Sequence, residues 1–196
     1  MFVGGVDEVG RGCLAGPVVA ACVVFPQGAE LPQVRDSKQL SALRRAELAE
    51  EIKSVPGVQW ALGEVDAEGV DRLNILRATF LAMERAVAGI KRVDFVLVDG
   101  NRLPQWNYAS RAVVKGDSLS ASIAAASILA KTARDAAMEA FDAQYPGYGF
   151  AGHKGYGTAE HLAALSRLGA SPIHRQSFAP VRELGAPAQM DLFKED

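Results

Sequence analysis

Export signals, membrane spans and disulfides have little to be made from in this chain of 196 residues. No basic amino-terminal stretch leads into an apolar one, so no secretory leader is read. Although 49% of the residues are hydrophobic, no run reaches the ~18 uninterrupted apolar residues of a membrane helix. The two cysteines, Cys13 and Cys22, form no CxxC pair, and with the missing leader they point to a reduced, cytoplasmic protein. Cys22, inside an apolar run, reads as core. No Cys/His ligand set for zinc is visible, and neither repeats nor low-complexity segments occur. The net charge of −2 argues against indiscriminate polyanion binding, which rests on many Lys and Arg contacts to phosphate.

What the chain does have is acids at the ends of apolar elements. Residues 2–9 form a β-type run that delivers Asp7 and Glu8 and then Gly10-Arg11-Gly12. Residues 93–98 form a nearly continuous apolar strand of the kind buried on both faces, stopped by Asp99-Gly100. Asp117 opens a small-residue helix over 119–141. Taken singly, Asp117 also reads as a helix cap and Asp99-Gly100 as a turn. Asp7-Glu8 resists such a reading, because consecutive acids in an apolar strand drive one carboxylate toward the core, where an unpaired charge is costly. Successive strand side chains also point to opposite faces, so two acids serving one site predict irregular or bulged backbone at Asp7.

Further strands are predicted over 18–25, 58–65 and 112–114, and helices over 41–53 and 159–168, with an ordered glycine- and aromatic-rich loop over 144–157. Leu76, Phe80, Met83, Val87 and Ile90 step by four and three, the core face of an amphipathic helix. Strands with interspersed helices make a mixed α/β protein of one domain. Two basic clusters accompany the acids. One holds Lys154, Arg167, Arg175 and Arg182 with all three histidines; the other holds Arg35, Lys38, Arg44 and Arg45. Each reads either as a solvated face or as a place for phosphates. Gly10-x-Gly12 is no dinucleotide loop, since the third glycine is misplaced and Pro17 with a β-branched run follows where a helix should begin.

Taken together, Val6-Asp7-Glu8-Val9-Gly10-Arg11-Gly12, Asp36-Ser37-Lys38-Gln39-Leu40, Val98-Asp99-Gly100, Lys115-Gly116-Asp117 and Gly152-His153-Lys154-Gly155-Tyr156-Gly157-Thr158 resemble, in order, the motif blocks of bacterial type 2 ribonuclease H (ribonuclease HII). The resemblance covers the chain to about residue 182. It implies an α/β ribonuclease H-like mixed sheet flanked by helices: a catalytic region over 1–145, a helical substrate-binding extension over 146–184, and a flexible tail over 185–196. It further implies that Asp7, Glu8, Asp99 and Asp117 are metal-binding catalytic acids using two Mg²⁺ or Mn²⁺ ions, the hard cations that carboxylate oxygens select. Gly10, Arg11, Gly12 and Tyr156 would sense the ribonucleotide at its junction with DNA, and Lys38 would contact phosphate. The expected substrates are RNA–DNA hybrids and ribonucleotide-containing duplex DNA, cut to 5′-phosphate and 3′-hydroxyl ends. A hybrid-only ribonuclease H, a DNA resolvase of the same fold and a noncatalytic hybrid-binding module are the alternatives. In the tail, Gln189, Leu192 and Phe193 resemble the short peptides by which bacterial repair enzymes dock on the sliding clamp.

Overall fold

The structure, a computed structural model, describes residues 1–34 and 41–184. Its centre is a five-stranded mixed sheet in the order β3-β2-β1-β4-β5, built from β1 (Val3–Val9), β2 (Val18–Val24), β3 (Gln59–Val65), β4 (Phe95–Asp99) and β5 (Ser110–Val113). β1, β2 and β3 run antiparallel in sequence, while β4 joins β1, and β5 joins β4, in parallel. Helices α1 (Ala42–Ser54) and α5 (Ala121–Gln144) cover one face, and α3 (Ile75–Ala88) covers the other. This is the ribonuclease H-like mixed sheet that the sequence led us to expect.

Both faces are dry because β2 is apolar at every position and buried throughout. Val18, Ala20, Cys22 and Val24 pack toward α3 with Val6, Val96 and Val98, whereas Val19, Ala21 and Val23 pack toward α1 and α5. The predicted helical stripe belongs to α3, where Met83 and Val87 are buried. Two glycines let helices ride close on the strands. A Cβ on Gly5 would stand 2.2 Å from the Ser122 carbonyl carbon of α5, and one on Gly63 would stand 2.1 Å from the Ala82 carbonyl oxygen of α3. The amino-terminal end of α5 is thereby pressed onto the middle of β1.

The short helices were not individually anticipated. Among them, α2 (Ala67–Leu73) follows β3 directly, capped by Asp66, whose side chain accepts from Gly69 N. Beyond α5 come α6 (Phe150–His153), α7 (Ala159–Leu168) and α8 (Ala179–Leu184), packed through Phe150, Leu165 and Val181 against Leu14 and Ala15. No described helix is long and apolar enough to cross a membrane.

Candidate active site

The backbone at the paired acids is regular, contrary to the bulge we expected. Antiparallel pairing with β2 continues without interruption from Gly4↔Val24 through Asp7↔Ala21 and Glu8↔Ala20 to Val9↔Val19. Asp7 therefore leaves the sheet on the α5 side, with Ala21, and Glu8 on the α3 side, with Ala20. They nonetheless share a site because β1 ends there. Both acids stand at the rim of the sheet, where a side chain from either face reaches around the strand end.

Asp99, the last residue of the neighbouring β4, stands at the same rim. Asp7, Glu8 and Asp99 line a cleft of about 360 Å³ together with Arg45, Ser127, Lys131 and Tyr156. On the α3 side, Glu8 and Asp99 also border a second hollow of about 310 Å³ with Arg11 and Arg102. Asp99 Oδ1 accepts the Gly116 backbone N–H at 2.6 Å, which ties the strand end to α4 (Gly116–Leu119). Asp117 lies in the first turn of α4 but is not its cap, a place taken by Lys115 in the left-handed conformation. Ser120 caps α5. Asp117 lines a separate hollow, with Val34, Arg44 and Ser118, so three of the four predicted acids meet in one cleft and the fourth lies outside it, next in sequence to the Gly116 that Asp99 holds.

Burial raises the Asp7 pKa from its ordinary 3.8 to about 7, with repulsion from Glu8 and Asp99 adding to it and a hydrogen bond from Ser127 opposing it. Glu8 is also raised by burial, against the pull of Arg11, whose Nη1 lies 3.3 Å from Glu8 Oε1. The cleft thus holds Asp7 and Glu8 where burial disfavours their charged forms. Among the described residues, no three acidic, histidine or cysteine side chains converge into a ready-made ion cage.

Tyr156, 44% exposed, reaches the cleft from the loop after α6 and hydrogen-bonds Cys13. In the Gly10-Arg11-Gly12 loop, Arg11 and Gly12 are exposed and Gly10 is buried. Gly10 has φ +93°, and a Cβ there would stand 2.3 Å from Arg134 Nε. Its lack of a side chain therefore has a packing reason. Lys38 lies outside the described residues, as do Gln189, Leu192 and Phe193.

The carboxyl-terminal basic cluster is split, with Arg167 and Arg182 exposed and others of its members in the core. Arg175 is fully buried and donates through Nε and Nη2 to Gly16 O and through Nη1 to Arg11 O. His161 and His174 are buried too, with pKa values lowered by burial, to about 4 for His174. In the other cluster, Arg44 pairs with Glu47 and Glu51 of its own helix. Polar residues of the cleft that the sequence did not single out are Ser127 and Lys131, with Asp135 one turn further along α5. Asp135 bridges Lys131 at 2.6 Å and Arg45 at 3.2 Å. Their signal was the four-residue spacing 127, 131, 135 on one face of a long helix.

The family model for ribonuclease HII matches residues 4–181. The chain belongs to the ribonuclease HII family. It is therefore an enzyme, a ribonuclease H endonuclease that hydrolyses phosphodiester bonds. Ribonuclease HII of Rhodospirillum rubrum is 60% identical to it over 186 residues, covering 92% of this chain and 85% of the relative. Among solved structures, ribonuclease H2 from Pyrococcus horikoshii superposes with a TM-score of 0.75 at 25% identity, over 94% of this chain and 97% of that one. A ribonuclease HII from Archaeoglobus fulgidus, solved in complex with PCNA, gives 0.70 at 26% identity, over 85% and 88%.

Proposed function

We propose that this ribonuclease HII family member cuts the RNA strand of RNA–DNA hybrids and also incises at single ribonucleotides embedded in duplex DNA, leaving 5′-phosphate and 3′-hydroxyl ends. The observation that carries the reading is the meeting of Asp7, Glu8 and Asp99 with an exposed tyrosine and two cations in one cleft. Asp7, Glu8, Asp99 and Asp117 would hold two divalent ions, Mg²⁺ or Mn²⁺. When bound, such a pair activates water and stabilises the leaving oxygen of an in-line displacement. The protein's own part is to supply the charge and the geometry. Burial raises the pKa values of Asp7 and Glu8, a cost that a bound cation would relieve, and Lys131 and Arg45, braced by Asp135, would meet the phosphates of an entering strand.

Selectivity for RNA has to come from the 2′-hydroxyl. Gly12 offers open space where a Cβ would be, so its backbone can lie close to a sugar, while Tyr156 presents a ring beside the acids. Lys38 would add a phosphate contact. The test is cleavage of a duplex carrying one ribonucleotide beside an all-DNA duplex, with Mg²⁺ and with chelator. Cutting of the first alone, only with metal, is expected; cutting of plain DNA, or undiminished cutting in chelator, refutes it. Tyr156→Ala should depress incision at a single ribonucleotide about tenfold more than cleavage of a long hybrid, where other registers offer productive poses. Equal losses would reduce Tyr156 to packing.

For a partner, the Archaeoglobus relative was solved in complex with PCNA, which supports a clamp as partner here, and Gln189, Leu192 and Phe193 would be its peptide anchors. A few apolar anchors can carry a weak peptide interface. Such a tether would raise local concentration on DNA without touching the chemistry. Truncation after Pro187 is expected to abolish binding to purified clamp while leaving cleavage unchanged. Equal binding by both proteins, or none by either, eliminates the tether.

A further inference from the structure

Behind the cleft, two of the chain's three histidines form a hydrogen-bonded line whose direction can be read from its two ends. His174 Nδ1 lies 2.9 Å from the Ser171 backbone N and 2.8 Å from Ser171 Oγ. A backbone N–H can only donate, so Nδ1 accepts and the proton of a neutral His174 is on Nε2. That nitrogen lies 3.0 Å from His161 Nε2. Since His174 donates there, His161 Nε2 accepts, and its own proton is on Nδ1, 2.9 Å from the Tyr156 carbonyl oxygen. A carbonyl can only accept, so the far end agrees with the near one. Both rings are neutral in this arrangement, because an added proton would set two N–H groups face to face. The lowered pKa values of both histidines fit that state.

The line ends on the backbone of the residue whose side chain borders the acids. The Tyr156 carbonyl also accepts from Thr158 N at 2.8 Å, and its N–H donates to His153 O at 2.9 Å. His153 stacks on His161 with centroids 4.3 Å apart and planes 11° apart, and Phe150 meets His153, His161 and His174. The Tyr156 carbonyl is therefore held by an imidazole as well as by its own loop.

We propose that His161, held in its tautomer by His174, is a positioning residue for Tyr156 and so sets the preference for an isolated ribonucleotide over a long hybrid. The inference rests on the reading of Tyr156 as the junction-sensing residue. A displacement of about 1 Å at a substrate-positioning group can cost on the order of 10²-fold in rate, and a single ribonucleotide offers no alternative register to recover it.

Two substitutions at His161 separate its two bonds. In His161→Asn the amide nitrogen takes the Nδ1 position and keeps the donation to Tyr156, losing His174. In His161→Gln the amide oxygen takes the Nε2 position and keeps His174, losing Tyr156. The ratio of single-ribonucleotide incision to long-hybrid cleavage is expected to fall about fivefold or more in His161→Gln and to stay within about twofold of wild type in His161→Asn. The same ratio in both variants overturns the inference. Tyr156→Ala, run alongside, distinguishes the failures: an unchanged ratio there sinks the reading of Tyr156 itself, whereas a shifted ratio there with no difference between the His161 variants sinks only the positioning role. Should either variant fail to fold, imidazole ¹⁵N–¹H correlation spectra of the unmodified protein at neutral pH decide. Protons on His174 Nε2 and His161 Nδ1 support the line, and any other tautomer or a charged ring refutes it.

Discussion

Asp7→Asn is expected to lower turnover with Mg²⁺ by about 10³-fold or more and, at the same time, to make the metal-free protein more stable at pH 8. The first effect follows from the proposed role. Divalent-ion stabilisation of a transition state is worth several kcal/mol, at about 1.4 kcal/mol per factor of ten, and the substitution removes charge from the most buried acid of the cleft without enlarging it. The second follows from linkage. Asp7 has its pKa raised from 3.8 to about 7 by burial and by Glu8 and Asp99, so the folded protein holds a proton that the unfolded chain has released. That contribution to stability is fully present below about pH 4 and is lost as pH rises through about 7. Between pH 5 and pH 8 roughly two units at about 1.4 kcal/mol each are at stake, or about 3 kcal/mol. His161 and His174, with pKa values lowered by burial, act in the opposite sense, destabilising the fold as pH falls below about 6.5. They cancel in the difference between wild type and variant, so urea titrations of both proteins at pH 5 and pH 8 isolate Asp7. A variant that keeps near-normal turnover removes Asp7 from the catalytic set. A stability difference independent of pH removes the buried-charge account.

That trade between function and stability explains why the acids were legible in the sequence and their geometry was not. A carboxylate in an apolar strand is locally irrational, and such a residue announces a site. Where each side chain goes depends on the strand's end, which local pattern does not specify. Asp7 and Glu8 invited a bulge because period-two alternation parts them; tertiary structure solved the problem by placing both at a rim open to either face. Asp117 was legible as a residue before a helix, but the four-residue α4 and a separate Ser120 cap depend on Gly116 fitting against Ile123 and Asp99, a contact across the fold. The missed α2 had local signals in the caps Asp66 and Asn74 at its two ends, which a reading by hydrophobic stripe alone passes over.

The basic residues show the opposite failure. Arg175, His161 and His174 were counted as charge because they are polar letters in a polar-looking stretch. They are core, and nothing local separates a buried arginine from an exposed one, since its partners are carbonyls far away in sequence. Arg175 reaches Gly16 O and Arg11 O, and Arg134, in the middle of α5, reaches three carbonyls in two loops. These two guanidinium groups hold the loop after β1 in place. The candidate site therefore rests on residues that carry none of its chemistry.

Arg134→Ala is accordingly expected to cost about 3–5 kcal/mol of stability, the largest loss from a single side chain outside the cleft. Arg134 is fully buried and donates to Pro17 O at 2.9 Å, Ala15 O at 3.0 Å and Lys154 O at 2.8 Å. Truncation leaves those carbonyls without their guanidinium donor and opens a cavity beside Met138. Each buried group left unsatisfied costs about 1–3 kcal/mol, and the cavity adds to it. Lysine cannot substitute, because one ammonium on a flexible stem does not reproduce a planar fork aimed at three points. Gly10 supplies the cross-check. A Cβ at Gly10 would collide with Arg134 Nε at 2.3 Å and Cδ at 2.8 Å, so Gly10→Ala in the wild type carries both that collision and the strain of φ +93°. In the Arg134→Ala background the collision with the guanidinium is gone, which leaves the strain, about 1–2 kcal/mol, and the approach of the new Cβ to Pro17 O at 2.8 Å. Denaturant unfolding of the four proteins of this cycle should show the double variant more stable than the sum of the single losses predicts, by about 1 kcal/mol or more. Additive losses would mean that Gly10 and Arg134 do not meet, and an Arg134→Ala loss below about 1 kcal/mol would mean that water satisfies the three carbonyls as well as the arginine does.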